Sequence, residues 1–182
     1  MRARIVAFVS ATAAFLVMAG CNGEAPPPAP QKEPAGPVAA TPPPPAFPAG
    51  DSNFETWALV GAPVVHDKAV TAPDGTTTAD AVDVNINEGL QFVTNKPVAA
   101  GDTRTTKIYL WGEPGKLVAL QIVDGCSPKA VEIETVNVEL TDKPQEFSVS
   151  RKFTEAHTCT FFQFISQSPG ATVINAWNAR NE

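Results

Sequence analysis

Thr103-Arg104-Thr105-Thr106-Lys107-Ile108-Tyr109-Leu110-Trp111 places Ile108 and Leu110 on one side of an extended chain and Lys107, Tyr109 and Trp111 on the other. Successive side chains of a β-strand point to opposite faces, so this period of two marks a strand with one face in a core. The pattern recurs upstream, where Val82, Val84 and Ile86 alternate with Ala81, Asp83 and Asn85 across Ala79 to Ile86. Downstream it continues in Leu117 to Val123, Val131 to Leu140, Phe147 to Phe153, Thr160 to Ile165 and Thr172 to Trp177. Turn residues separate these runs at Pro73-Asp74-Gly75, Gly112 to Gly115, Asp124-Gly125, Asp142-Lys143-Pro144 and Pro169-Gly170. No stretch of the region carries a helical stripe. Many short strands without intervening helices predict an all-β fold, a β-sandwich, over residues 51–182.

The chain before residue 51 cannot belong to that core. Between Cys21 and Gly50 it is dominated by proline and alanine, with only Glu24, Lys32 and Glu33 charged. Such a composition favours the extended polyproline conformation at about 3.1 Å per residue, so residues 21–50 are expected to be a disordered spacer. Residues 1–20 start with Arg2 and Arg4, continue as an apolar run from Ile5 to Met18 and end on the small residues Ala19 and Gly20, the layout of a signal peptide. The run is shorter than the about 20 residues a membrane span needs.

Val17-Met18-Ala19-Gly20-Cys21 resembles the lipobox of bacterial lipoproteins, with Met18 where leucine is usual. The resemblance implies that Cys21 is acylated and becomes the mature N-terminus, that the bilayer is a partner through those acyl chains, and that the domain sits in the cell envelope. Asn22 after the lipidated residue implies the outer membrane in a Gram-negative cell. Without Arg2 and Arg4 the 13 basic side chains fall to 11 against 19 acidic ones, a formal charge of −8, which disfavours nucleic acid and anionic lipid headgroups. With Cys21 used by lipidation, the remaining Cys126 and Cys159 are expected to pair as a disulfide in an oxidising compartment, reduced buried thiols being the alternative.

Within residues 51–182, Asn53-Phe54-Glu55 and Trp57 are followed by Ala72-Pro73-Asp74-Gly75-Thr76 and Thr78-Ala79-Asp80. Then come Ala99-Ala100-Gly101-Asp102-Thr103, a strand with Ile108-Tyr109, and Glu139-Leu140-Thr141 before Gln145 to Ser150. A last run covers Ala171 to Glu182. In order and spacing these landmarks resemble the jelly-roll carbohydrate-binding modules of families four and nine, galactose-binding-like sandwiches. The chain departs from them at Pro144, where an aromatic is common, and at Asn178, where a glycine is common. The resemblance implies a jelly roll, and a structural calcium remains open, with Glu55 at the position of one ligand. Calcium takes six to eight oxygens, and the sequence names no others.

His66 and His157 are the only histidines, and neither stands at zinc-ligand spacing with a second histidine or a cysteine pair. The chain has no Gly-x-Ser-x-Gly elbow and no glycine-rich phosphate loop. Glu132 and Glu134 could serve as glycosidase carboxylates, but two such residues on one strand face are more often solvated. Sugar binding needs flat apolar rings and a few amide or charged partners. Tyr109, Trp111 and Lys107 share one strand face, and Gln121 is expected on a neighbouring strand, which makes these four the candidate ligand platform. The competing reading has Trp111 covering the edge of the core. Trp57 and Trp177 are expected in core or edge packing, and Phe161, Phe162 and Phe164 are divided between the two faces of their strand. The sequence therefore predicts a non-catalytic envelope lipoprotein that binds a glycan or another envelope component. A protein-binding structural module and a hydrolase are the alternatives.

Overall fold

The computed structural model describes residues 47, 49–75, 78–94, 96–124 and 133–182. The signal-like segment, Cys21, the Pro/Ala-rich stretch to Ala46, Cys126 and Glu132 lie outside the described residues. A 3-10 turn at Phe54–Thr56 precedes ten strands: β1 Ala58–Val60, β2 Val64–Val70, β3 Ala79–Val84, β4 Gly89–Thr94, β5 Thr103–Gly112, β6 Leu117–Asp124, β7 Ile133–Glu139, β8 Gln145–Lys152, β9 Thr160–Ser166 and β10 Thr172–Asn181. They form two antiparallel five-stranded sheets, ordered β1-β4-β9-β6-β7 and β2-β3-β10-β5-β8. The all-β sandwich expected from the alternation is the fold observed.

The inner faces meet in one core. Leu90, Phe162, Phe164, Val118, Leu120 and Ile122 come from the first sheet, and Val82, Val84, Ile108, Leu110, Val149 and Ile174 from the second. Phe54 and Trp57 close it, the indole lying 4.7 Å from the Phe54 ring between centroids. Phe162 and Phe164 face inward and Phe161 outward, as the alternation of their strand requires. The Pro73-Asp74-Gly75 turn forms as expected, with the Gly75 amide donating to the Ala72 carbonyl at 2.9 Å and glycine supplying a φ of +83°.

The structure corrects the sequence at several elements. Ile86 does not extend the buried face of Val82 and Val84, because β3 ends at Val84 and Ile86 is 47% exposed. There the Glu88 carboxylate accepts from the Asn85 backbone amide (2.8 Å) and side-chain amide (3.0 Å), turning the chain. β1, β2 and β4 were not legible. β1 has three residues, and β2 is an edge strand broken in register between His66 and Val70, where Lys68 adopts a φ of +51°. β4 carries apolar residues on both faces, which hides its period.

Asp80 holds the first residues of the sandwich in place. Its side chain is buried and accepts from the backbone amides of Phe54 (2.9 Å) and Lys68 (2.8 Å). Burial raises its pKa above the ordinary carboxylate value, outweighing the two amide donors that pull it down. Asp80→Ala strands both donors, each at a cost of about 1–3 kcal/mol. The variant is therefore expected to lose roughly 2–6 kcal/mol of stability, read as a lower urea midpoint at unchanged slope; an unshifted midpoint would show that the Asp80 contacts do not hold the turn.

Candidate functional site

Lys107, Tyr109 and Trp111 emerge on the outer face of β5, opposite the buried Ile108 and Leu110. That face is already occupied by the chain itself. Phe47 packs edge-on against Tyr109 and Trp177, with centroids 5.8 and 5.2 Å away, and Tyr109 lies 5.4 Å from Trp177. Trp111 is only 8% exposed and belongs, with Ala72, Ala79 and Trp177, to a second apolar cluster on this face. Lys107 pairs with Glu182 at 2.7 Å, and Arg180 with Glu146 at 2.6 Å. The packed chain thus reaches back to Phe47. Burial, followed by the neighbouring Glu146 carboxylate, pushes the Tyr109 phenol above its ordinary pKa.

Gln121 does not join them. The neighbours of β5 are β10 and β8, whereas β6 lies in the other sheet, so the expected neighbouring strand is a correction. On the outer face of that other sheet, Gln121 stands in a row of amides. Gln91 of β4 pairs in register with Gln163 of β9, Gln163 with Gln121 of β6, and Gln121 with Thr135 of β7. The Gln163 amide donates to the Gln121 carbonyl at 2.5 Å, and the Gln121 amide to the Thr135 hydroxyl at 3.2 Å. At the usual strand spacing of about 4.8 Å the row spans roughly 14 Å.

The register row beside it is apolar, running Val93, Phe161, Val123 and Ile133. Val93 and Ile133 are 39% and 49% exposed, and Phe161 is half-buried. Val123 and Gln163, in the middle of the two rows, are buried, so what the face offers is the surface of Val93, Phe161 and Ile133 beside the half-buried amides of Gln91 and Gln121. Sequence reasoning missed Gln91 and Gln163. The signal was present in three apolar-Gln-apolar triplets, Leu90-Gln91-Phe92, Leu120-Gln121-Ile122 and Phe162-Gln163-Phe164, each with its glutamine on the face away from the core.

The other candidates lie apart. Glu55 is exposed in the 3-10 turn. The nearby Asp80 carboxylate is committed to two N–H donors, and the Lys68 ammonium supplies positive charge between Glu55, Asp67 and Asp80. Among the described residues no group of three or more His, Cys, Asp or Glu side chains could hold a metal. His66 pairs with Asp83 at 3.0 Å, and His157 lies 3.5 Å from Asp124, which holds Arg151 at 2.8 Å. Glu134 is exposed on the edge strand β7.

No protein-family model matches the chain, and no curated protein matches it. Solved structures share the fold. The CBM22-1 xylan-binding domain from Paenibacillus barcinonensis Xyn10C superposes with a TM-score of 0.54 at 15% identity, over 75% of this chain and 97% of that one. The CBM22-1-GH10 modules of the Clostridium thermocellum xylanase Xyn10B, complexed with xylohexaose, give 0.53 at 13% identity, over 73% of this chain and 27% of that one. The enzymatically active domain of bacteriophage CBA120 tailspike protein 4 gives 0.52 at 11% identity, over 71% and 20%. At such identities the likeness establishes the β-sandwich fold of carbohydrate-binding modules, and the fold alone.

Tyr109 is the sole tyrosine of the chain, so its titration can be followed directly by ultraviolet absorbance. It is expected to ionise above the ordinary value of about 10, and Phe47→Ala should bring it back towards that value by uncovering the ring. With the folded-state value above the unfolded one, the stabilisation linked to the neutral phenol is present below the unfolded pKa and fades as pH rises through the folded one. Identical titrations of the two proteins would show that Phe47 does not cover Tyr109.

Proposed function

We propose that the sandwich is a non-catalytic glycan-binding module whose ligand lies along the amide row of β4, β9, β6 and β7, and that the chain carries it as an envelope lipoprotein. The observation that carries the reading is the register row Gln91–Gln163–Gln121–Thr135 beside the apolar row containing Phe161. Amides present both a donor and an acceptor to sugar hydroxyls, while the ring and the aliphatic side chains cover C–H faces. No charge in the row selects an ionic ligand, so a neutral glycan fits best. The shared fold with a domain described as xylan-binding supports the class of ligand. Of the four residues singled out from sequence, Gln121 belongs to this site; Tyr109, Trp111 and Lys107 belong to the opposite face.

Binding is tested by calorimetry with neutral β-linked oligosaccharides, xylohexaose among them. Gln91→Ala and Gln121→Ala each remove hydrogen bonds at a half-exposed position, and each is expected to weaken binding about tenfold, or about 1.4 kcal/mol, with a nearly unchanged melting temperature. If both variants keep every glycan the wild type retains, the amide row is not the site. If substitution of Val93 and Ile133 instead abolishes capture of a protein partner, the structural-module reading replaces this one.

The lipobox-like sequence supports acylation of Cys21 and, with Asn22, an outer-membrane location. The sheet register supports a Cys126–Cys159 bridge. Asp124 at the end of β6 pairs with Thr160 at the start of β9, so the chain leaves one strand two residues before Cys126 and enters the other one residue after Cys159. Cys159 is 5% exposed. Intact mass measurement of the mature protein, alkylated under denaturing conditions without reductant, tests both. The expected mass carries acyl chains on Cys21 and no alkyl group on Cys126 or Cys159. A mass without lipid refutes the anchor, and two alkyl groups refute the bridge.

A further inference from the structure

The sandwich opens between its sheets where β4 runs on past β1. β1 pairs with β4 only from Gly89 to Gln91, so among the described residues Phe92 to Thr94 have no strand on that side. A cleft of about 440 Å³ lies there, lined by Phe92, Thr94, Lys96, Arg104, Asn181 and Glu182. Phe92 and Arg104 stand at core-facing positions, Phe92 two residues after the buried Leu90 and Arg104 two residues before the buried Thr106. Phe92 is nevertheless 36% exposed and Arg104 only half-buried. Inward positions that reach solvent mark an opening into the sandwich rather than a patch on its surface. A narrower crevice shares Phe92, Thr94, Arg104 and Asn181 with the cleft and ends on the buried Thr160 and Phe162.

The cleft holds a cation without a counter-ion. Arg104 donates to the Thr160 hydroxyl and, at 3.2 Å, to the Lys96 carbonyl, both neutral acceptors. Three of its five N–H donors remain, and no carboxylate pairs with it among the described residues. Asp102, the carboxylate that acts on it through space, is exposed and accepts from the Ala99 amide at 2.8 Å. The Lys96 ammonium at the rim also has no ion pair among the described residues. Glu182, the acid in the lining, is held instead by Lys107 at 2.7 Å and Arg180 at 3.5 Å.

A half-buried guanidinium has lost part of its hydration, and its planar fork fits a carboxylate through two parallel hydrogen bonds. The Phe92 ring, held against Trp57 with centroids 5.3 Å apart, adds apolar surface in the same cleft. Its volume lies within the ~300–1,000 Å³ usual for organic ligands. The net charge of −6 on the whole chain disfavours multiply charged anions and leaves a single carboxylate as the fitting partner.

We propose that this cleft is a second binding site, selective for one carboxylate borne on a compact carbon skeleton. Arg104 and Lys96 take the carboxylate, and Phe92 covers the skeleton. Two sources present that chemistry: a uronic acid at the end of a glycan and a free organic acid.

Calorimetry on the mature protein tests the site with a disaccharide ending in glucuronic acid, its methyl ester, hexanoate and inorganic phosphate. Tighter binding of the uronate than of hexanoate identifies an acidic glycan, and equal or tighter binding of hexanoate identifies a free acid; either supports the proposal. The methyl ester, which has lost the charge, is expected to bind about tenfold more weakly than the uronate. Arg104→Gln is expected to weaken acid binding about tenfold or more, and the exposed Lys96→Gln, which carries no fold contact through its side chain, about threefold. Lys143→Gln, an exposed cation at the far end of β5, is expected to leave it unchanged. Absence of binding by both acids overturns the assignment, as does equal affinity for acid and ester, or for phosphate and the better acid. Wild-type acid binding in both Arg104→Gln and Lys96→Gln, or an equal loss in Lys143→Gln, overturns it too. Gln121→Ala should leave acid binding intact, so failure here is separable from failure of the amide row.

Discussion

A β-strand can give a shared core only every second side chain, and in this sandwich both sheets spend one face on the same core. Everything available to a ligand is thereby sorted onto two outward faces that cannot combine. β5 shows the rule most plainly: Ile108 and Leu110 are fully buried, which forces Lys107, Tyr109 and Trp111 to the far side. β6 obeys it in the opposite sheet, where Leu120 and Ile122 are buried and Gln121 is turned out. Residues that look equivalent in sequence thus serve different surfaces. The four-residue platform inferred from sequence divides because alternation fixes the face of a residue but not the sheet to which its strand belongs.

The two sheets are also joined by charge. Arg151 of β8 reaches across to Asp124 at the end of β6 at 2.8 Å, with both side chains less than a tenth exposed, and the guanidinium lies 5.5 Å from the Phe153 ring. Such a pair adds little net stability over an apolar replacement, but losing one partner leaves a buried charge at a cost of about 3–5 kcal/mol. Its effect is on orientation: it fixes the end of the sandwich where β6 leaves and β9 enters. The amide row runs through the middle of those same two strands, so its spacing depends on the register held there.

How far the sequence could be read followed from how strongly each element was constrained. β5, β6, β8, β9 and β10 were legible because each buries one face against the core while their turns carry glycine, proline or aspartate. β2 was not, since an edge strand containing His66, Asp67 and Lys68 buries too little to impose a period. The amide row was half legible. In the sequence Gln121 reads as an amide on a strand expected beside β5, but pairing it with Gln163 and Gln91 requires the strand order β4-β9-β6, which brings together segments far apart in the chain. Local pattern carries no information on that order. The coverage of Tyr109 was hidden for a similar reason, because Phe47 stands in a stretch whose composition marks it as spacer.

Phe47 also determines what kind of recognition each face can support. It is joined to Asp51 by three residues, and a group on so short a linker competes at an effective concentration in the millimolar range. Its two edge-to-face contacts, worth about 0.5–1.5 kcal/mol each beyond area burial, add to that advantage. Any external ring or sugar seeking Tyr109 and Trp177 must displace an intramolecular occupant, which weak polar ligands cannot do. The amide row meets no such competitor among the described residues, and the chain enters the domain from the other side of the sandwich. The aromatic face is therefore a packing surface closed by the chain's own entry segment. On the proposed reading, polar recognition falls to the opposite face, where among the described residues Gln163 donates to Gln121 and Gln121 to Thr135, contacts that water or a hydroxyl can exchange at little cost.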